Sequence, residues 1–439
     1  MLATVWVVGG YGLAQVLRLG GNLILTRLLV PEFFGIMAIA HVFMVGLTLF
    51  SDIGLGPGVI RSSRSGDRAF LNSAWTLQII RGLVLYLFSA AIAFPVAQFY
   101  EMPILAKVMP VLGLVLLIEG FLSTSIFSLN KEVKLGRITT MEVGAQFLGL
   151  LVMVVTAYLY RSVWALVAGG LVVALVKAVW SHFLNSERNR IGLEREAVKE
   201  LFSFGKWVFV ATAMMFLATQ ADRFLLGKLF PLSLFGIYNI AVIFAELPKQ
   251  VLTKLSNRVI FPLMAQFSEL PREEFRNGIL AKRLQLLLPL ALLVAVFAGF
   301  GDLIINQLYD ERYHQAGWML PLLALGMWPF ILSASIDRCL YAIGLPQYSA
   351  VGNFCKFLYM VIAVPISFKM AGPVGGVVAV ALNDLPVYLV VNYGLSRERL
   401  TCLRQDGLVT LLLAVLLVLI LALRFALDLG LPGRGLLLG

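Results

Sequence analysis

Charge is scarce in this chain. Only 13% of its 439 residues are Asp, Glu, Lys or Arg, against 60% hydrophobic residues, whereas soluble domains carry about 25% charged and roughly 45–50% apolar residues. That shortage excludes a water-soluble fold. Histidine and cysteine are nearly missing too. His41, His182 and His314 are scattered, as are Cys339, Cys355 and Cys402, and none has metal-ligand spacing, so neither a disulfide framework nor a metal site is expected. There is no glycine-rich loop to cradle phosphates and no catalytic dyad. A self-contained ATP-driven pump is thereby excluded, no cofactor is expected, and the chain reads as something other than an enzyme.

What the chain does have is thirteen long apolar stretches separated by short polar loops. They run over 4–29, 33–57, 72–98, 108–129, 138–160 and 163–183, then, after a polar linker, over 201–230, 232–256, 279–308, 317–343, 348–368, 374–395 and 408–427. Each is long enough to span a bilayer as a helix. The first is too long for a signal-peptide core and lacks a basic flank, so it reads as a retained span. With the N-terminus in the cytoplasm, eighteen loop lysines and arginines fall inside, Arg283 among them, and seven outside. This positive-inside bias accounts for the formal net charge of +11 without a nucleic-acid partner, and the basic loops read as contacts to anionic membrane lipid.

Several spans carry charges in their interiors. A charge at the bilayer centre costs roughly 3 kcal/mol even on lenient scales, so it persists only facing other helices or a watery cavity. Lys177, Lys249, Lys254, Arg338 and Arg424 lie near span ends and read as interfacial anchors whose long stems reach the headgroups. Arg18, Arg81, Glu119, Arg223, Glu246, Lys356 and Asp384 lie deeper; they either line a cavity or pair structurally. Glu119, Glu142, Glu246 and Asp384 are candidates for coupling transport to an ion.

An internal repeat organises the chain. Shifting by 201 residues lays Leu25, Arg27, Leu28, Phe34, Gly35 and Ile36 over Leu226, Lys228, Leu229, Phe235, Gly236 and Ile237. The spans between the copies are even in number, so the halves share one orientation and are related by an axis along the membrane normal. The expected architecture is all-α and polytopic: a six-helix bundle over 1–184, a cytoplasmic linker over 185–200, a second six-helix bundle over 201–395, and an extra helix and tail over 396–439. Helical spacing puts Tyr11, Gln15, Arg18 and Asn22 on one stripe of the first span. The matching stripe of the seventh reads Thr212, Phe216, Thr219 and Arg223. Polar residues between packed helices explain Gln15, Asn22 and Thr219, but two pseudosymmetric arginines suit bidentate capture of phosphate oxygens.

Four segments also carry a family resemblance: Asn22 to Gly35 (NLILTRLLVPEFFG), Asp52 to Gly58 (DIGLGPG), Leu71 to Gln78 (LNSAWTLQ) and Ala221 to Gly227 (ADRFLLG). The chain resembles the polysaccharide-type lipid-linked oligosaccharide flippases, of the superfamily that also holds multidrug extrusion transporters and lipid II flippases. That resemblance implies two six-helix bundles around a central cavity lined by the first and seventh spans. It implies a cargo of polyprenyl-pyrophosphate-linked repeat units turned over by alternating access in the bacterial inner membrane, and action beside glycosyltransferases and a polysaccharide polymerase. A monomer is expected. The family pattern usually has a fourteenth span and a basic stretch before the first; neither is present, which reads as shortening at one or both ends. Two rivals stand beside this reading. A multidrug cation antiporter would favour carboxylates over the four deep cations Arg18, Arg81, Arg223 and Lys356, and a membrane-embedded polymerase or glycosyltransferase would need a larger extramembrane loop.

Overall fold

The computed structural model describes residues 2–51, 55–56, 59, 62, 64, 67–132, 134–184, 189–255 and 272–432, with their side chains outside 2–8, 11, 200–215, 254–255, 275 and 281. The described residues form helices and no strands. They divide into two compact units, Met1–Phe216 and Leu217–Gly439.

Unit 1 contains α1 (Leu2–Leu28), α2 (Pro31–Phe50), α3 (Arg68–Phe99), α4 (Leu105–Gly120), α5 (Ser125–Lys131), α6 (Leu135–Tyr160) and α7 (Trp164–Ser181), and α8 (Arg195–Leu229) runs on into unit 2. Unit 2 continues with α9 (Leu232–Ala245), α10 (Leu247–Leu255), α11 (Arg272–Leu308), α12 (Ala316–Ala334), α13 (Asp337–Ala342), α14 (Gln347–Ala381), α15 (Leu385–Arg397) and α16 (Leu403–Ala426). Every one of the thirteen predicted stretches carries helix. Eight of the described helices or helical runs are long and apolar enough to cross a membrane, or up to ten if two bent pairs each count as one span. The bends explain part of the shortfall. The stretch 108–129 is α4 and α5 meeting at 61°, and 232–256 is α9 and α10 meeting at 44°. The stretches 348–368 and 374–395 share one apolar run, Gln347–Arg397, broken inside α14 at Ala371 and Gly372, where Gly372 takes φ +57°. Only glycine adopts that conformation without strain.

Local chemistry sets the helix ends. Pro31 opens α2, where its missing N–H costs nothing. The Asp67 carboxylate caps α3 by accepting from the Ala69 N–H at 2.9 Å. In unit 1, α3 packs on α4, α6 on α7 and α1 on α6. Small residues let these backbones approach: a Cβ on Gly82 would lie 2.8 Å from the Leu116 carbonyl oxygen, so α3 and α4 touch there only because Gly82 has no side chain. In unit 2, α11 packs against both α12 and α16, around a core that includes Leu287, Leu290, Val294, Ile331 and Leu413. The opposite face of α16 exposes Leu408, Leu411 and Val418, as a lipid-facing surface does.

Two arginines sit differently from the sequence reading. Arg424, read as an interfacial anchor, is only 1% exposed. Its Nη1 and Nη2 donate to the two Asp302 carboxylate oxygens at 2.6 and 2.7 Å, and Nη1 also donates to the Gly299 carbonyl at 2.7 Å. Arg283, counted as an inner-loop cation, is 3% exposed and donates to Asp406 Oδ1 at 2.6 Å. Charge counting reads distance from a span end and is blind to a carboxylate far along the chain. The two pairs bind opposite ends of α16 to α11, so the predicted extra helix of 396–439 is an integral strut of unit 2.

Residues 185–188 of the predicted linker lie outside the described residues. The remainder does not hang free. Residues 189–194 run without helix along α3, and α8 starts at Arg195.

Candidate functional site

Each unit holds its own charged interior. In unit 1, α2, α3, α4 and α5 enclose a cavity of about 300 Å³ lined by Thr48, Gln78, Arg81, Glu119, Ser123 and Phe127 among others. The break between α4 and α5 makes the space. The carbonyls freed at that break are satisfied by Gln78, whose Nε2 donates to Glu119, Gly120 and Leu122 at 3.0–3.2 Å. Arg81 closes the end of α2 in the same way, donating from Nη2 to the Thr48 carbonyl at 2.7 Å and from Nε to Ser51 Oγ at 3.0 Å. Glu119 shares the cavity wall with Arg81.

In unit 2, α8, α9, α10, α12 and α14 surround a much smaller cavity of about 30 Å³, space for about one or two waters. Its walls include Thr219, Asp222, Tyr238, Glu246, Lys249, Lys356, Asn383 and Asp384. Lys356 is 5% exposed and donates from Nζ to Asp384 Oδ1 at 2.6 Å. A buried ammonium is tolerated there because the carboxylate offsets its desolvation. The other carboxylate oxygen, Asp384 Oδ2, and Asn383 Oδ1 are buried with no hydrogen-bond partner. They are acceptors for a water, a proton or a small cation. Arg223 donates from Nη1 to Gln220 Oε1 at 3.0 Å and stands 3.8 Å from Glu246. Its neighbour Asp222 points instead at α9, where Tyr238 Oη donates to it at 2.8 Å. A turn of about 100° per residue separates the two side chains.

The predicted site residues are therefore divided. Arg223, Thr219, Glu246, Lys356 and Asp384 gather in unit 2, and Arg81 and Glu119 in the cavity of unit 1. Arg18 is exposed on α1. Asn22 is half-buried on α1, and Gln15 there has its Nε2 buried without a hydrogen-bond partner. Glu142 is exposed on α6. The side chains of Tyr11 and Thr212 lie outside the described residues. Sequence reasoning missed Asn383 and Tyr238 as members of the unit 2 cluster and read Lys249 only as an anchor. The Asn383–Asp384 dipeptide in an otherwise apolar run was the available signal. Among the described residues no group of three or more His, Cys, Asp or Glu is placed to hold a metal ion.

Residues 24–317 match a family described as polysaccharide biosynthesis protein. The teichuronic acid biosynthesis protein TuaB of Bacillus subtilis is 21% identical over 62% of this chain and 57% of its own length. The succinoglycan biosynthesis transport protein ExoT of Rhizobium meliloti is 24% identical over 55% of this chain and 49% of its own length. The match thus spans about half the length of these curated relatives. Among solved structures, the lipid II flippase MurJ in an inward closed conformation aligns with a TM-score of 0.73 at 13% identity, over 98% of this chain and 92% of that one. At that identity the likeness fixes the fold.

Proposed function

The chain belongs to the polysaccharide biosynthesis protein family, and from that membership we propose that it is a flippase. Its cargo in this reading is a polyprenyl-pyrophosphate-linked oligosaccharide repeat unit, carried across the bacterial inner membrane for exopolysaccharide, capsule or O-antigen synthesis. The protein is a multi-pass membrane protein, with the N-terminus cytoplasmic in this proposal. The family match over residues 24–317 is the observation that carries the reading. The physical task fits the residues. The tail of such a cargo stays in lipid, but its anionic, sugar-bearing head cannot cross hydrocarbon unaided. Arginines replace the water around phosphate oxygens through a planar, bidentate fork. Arg18 in unit 1 and Arg223 in unit 2 are proposed to hold the pyrophosphate, with Gln15, Asn22, Thr219 and Tyr11 offering hydrogen bonds to it or to sugar.

Alternating access is proposed to move the cargo, with the two bundles as the moving bodies. The unit 2 cluster of Glu246, Lys356 and Asp384 is the proposed place of ion coupling, since Asp384 Oδ2 is buried and unpartnered; Glu119 in the cavity of unit 1 and Glu142 on α6 are the other candidates. Arg81 and Lys356 already hold internal partners, so their proposed part is to set the charge of the path. The chain would work as a monomer between the glycosyltransferases that build its cargo and the polymerase that consumes it.

Complementation tests this. Expressed in a strain lacking its own flippase, the protein should restore surface glycan. Failure to restore it at normal membrane abundance, together with raised resistance to cationic drugs, would replace the proposal with multidrug efflux.

A further inference from the structure

A linker between two moving bundles is expected to be a loose joint, yet the hydrogen bonds of residues 189–194 describe something else. Alternate backbone N–H groups of this segment are taken up by three polar side chains on the first turns of α3. Arg190 donates to Asn72 Oδ1 at 2.9 Å, Gly192 to Thr76 Oγ1 at 3.0 Å and Glu194 to Ser73 Oγ at 2.8 Å. The two hydroxyls are themselves fixed, because each donates to the α3 carbonyl four residues earlier, at 2.9 Å for Ser73 and 2.8 Å for Thr76. They therefore accept from the linker at no rotational cost.

Both ends of the segment are fastened as well. Asn189 accepts from Ser123 Oγ at 2.7 Å and donates to Thr124 Oγ1 at 2.5 Å, at the break between α4 and α5. At the other end, Arg64 Nη2 donates to both Glu194 carboxylate oxygens at 2.9 and 2.7 Å, and to Asp67, the cap of α3, at 2.6 Å. The Glu194 backbone carbonyl accepts from the Val198 N–H in the first turn of α8. Beyond it Ala197 is fully buried in the same small core as Phe70, Leu71 and Ala74. One set of side chains thus ties α3, the α4–α5 break and the start of α8 together.

We propose that residues 189–194 are a fixed strap of unit 1. The strap stays on α3 through the transport cycle, so that the start of α8 moves with unit 1 and the joint between the moving bodies lies farther along α8. The division of the chain at Phe216 and Leu217, inside α8, agrees with this. For its functional arm the proposal rests on the alternating-access reading above.

The strap offers its own test. A Cβ built on Gly192 would lie 4.0 Å from the Asn72 Cβ, within the roughly 3.5–4.5 Å that a disulfide needs. In isolated membranes treated with oxidant, Asn72→Cys with Gly192→Cys should form that bond, and neither single variant should. In a flippase-deficient strain with an oxidising cytoplasm, the bonded protein should export glycan at the rate of the same double variant in an ordinary strain. Loss of export on bonding, with export intact in the reduced protein, would show that the strap must lift, and absence of the bond would show that it is not seated on α3. If wild-type protein exports nothing in either strain, the flippase reading fails, while bond formation in membranes still reports on the strap.

Discussion

Arg81 in unit 1 and Arg283 in unit 2 sit on the third long span of their halves, close to the 201-residue shift of the internal repeat, and each closes a helix end in the same way. Arg81 donates to a carbonyl and to the serine hydroxyl three residues later, Thr48 and Ser51; Arg283 does so to Leu332 and Ser335. They differ in what else they meet. Arg283 receives a carboxylate, Asp406, from the extra helix α16, which also takes a hydrogen bond from Tyr388 Oη at 2.9 Å. Arg81 faces a cavity of about 300 Å³ shared with Glu119. One arginine position is sealed as a structural clamp and the other is left beside open space. The contrast teaches that pseudosymmetric intramembrane arginines can close a helix end alike while one is packed into a dry core and the other borders open space.

The largest effect should follow from breaking the sealed pair. Asp406→Ala leaves a buried guanidinium uncompensated, a loss of about 3–5 kcal/mol, and should nearly abolish folded protein in the membrane. Arg283→Met with Asp406→Leu should recover much of it, because replacing both partners removes the uncompensated charge. Membrane abundance and thermal melting in detergent measure both. If the single variant melts like wild type, the clamp is not dry. Lys356→Met should destabilise by a similar amount through Asp384, and Asp384→Asn added to it should restore stability without restoring export if that pair couples an ion.

Arg81→Gln should cost less. A hydrogen bond from a charged donor is worth about 1.5–3 kcal/mol at most, and water in the cavity beside Arg81 can take over part of what is lost. A loss as large as that of Asp406→Ala would erase the difference between the units. Smaller still, Glu142→Gln on the exposed face of α6 should shift stability by under about 0.5 kcal/mol and leave export unchanged; lost export at normal abundance would move ion coupling to unit 1.

The Asp67 cap of α3 gives a pH-dependent test outside the spans. The Arg64 hydrogen bond, and then the Ala69 N–H, hold its carboxyl below the ordinary carboxylate range. A depressed folded pKa means that its contribution is complete above that ordinary range and is lost as pH falls through the lowered value. Hydrogen exchange at the start of α3 should therefore stay slow through mild acid and quicken only below the ordinary range, and Asp67→Asn should flatten that response.

The spans themselves were legible because hydrophobic length needs no partner to be read. Charges were harder. Arg424 and Arg283 looked like anchors or loop cations from their places near span ends, and only the folded chain brings Asp302 and Asp406 to them. The stripe carrying Arg18 could be drawn from helical spacing alone, whereas the pairing of Asp222 with Tyr238 on the next helix needs the folded chain. The attachment of the linker was not legible for a physical reason: Asn72, Ser73 and Thr76 look like ordinary polar residues at a span entrance, and their use as acceptors for backbone N–H groups more than a hundred residues away leaves no local signal.

The central claim is that Arg18 and Arg223 hold an anionic head group during its passage. It is tested most directly by Arg18→Ala and Arg223→Ala, singly and together, in the flippase-deficient strain, with surface glycan and inserted protein measured on the same cells. Each single variant should lose most export at normal abundance, since a charge-assisted contact is worth about 1.5–3 kcal/mol, roughly tenfold to a hundredfold in affinity. Lysine at either position should rescue only in part, because it keeps the charge and loses the fork. Full export by the double alanine variant at normal abundance would contradict the account.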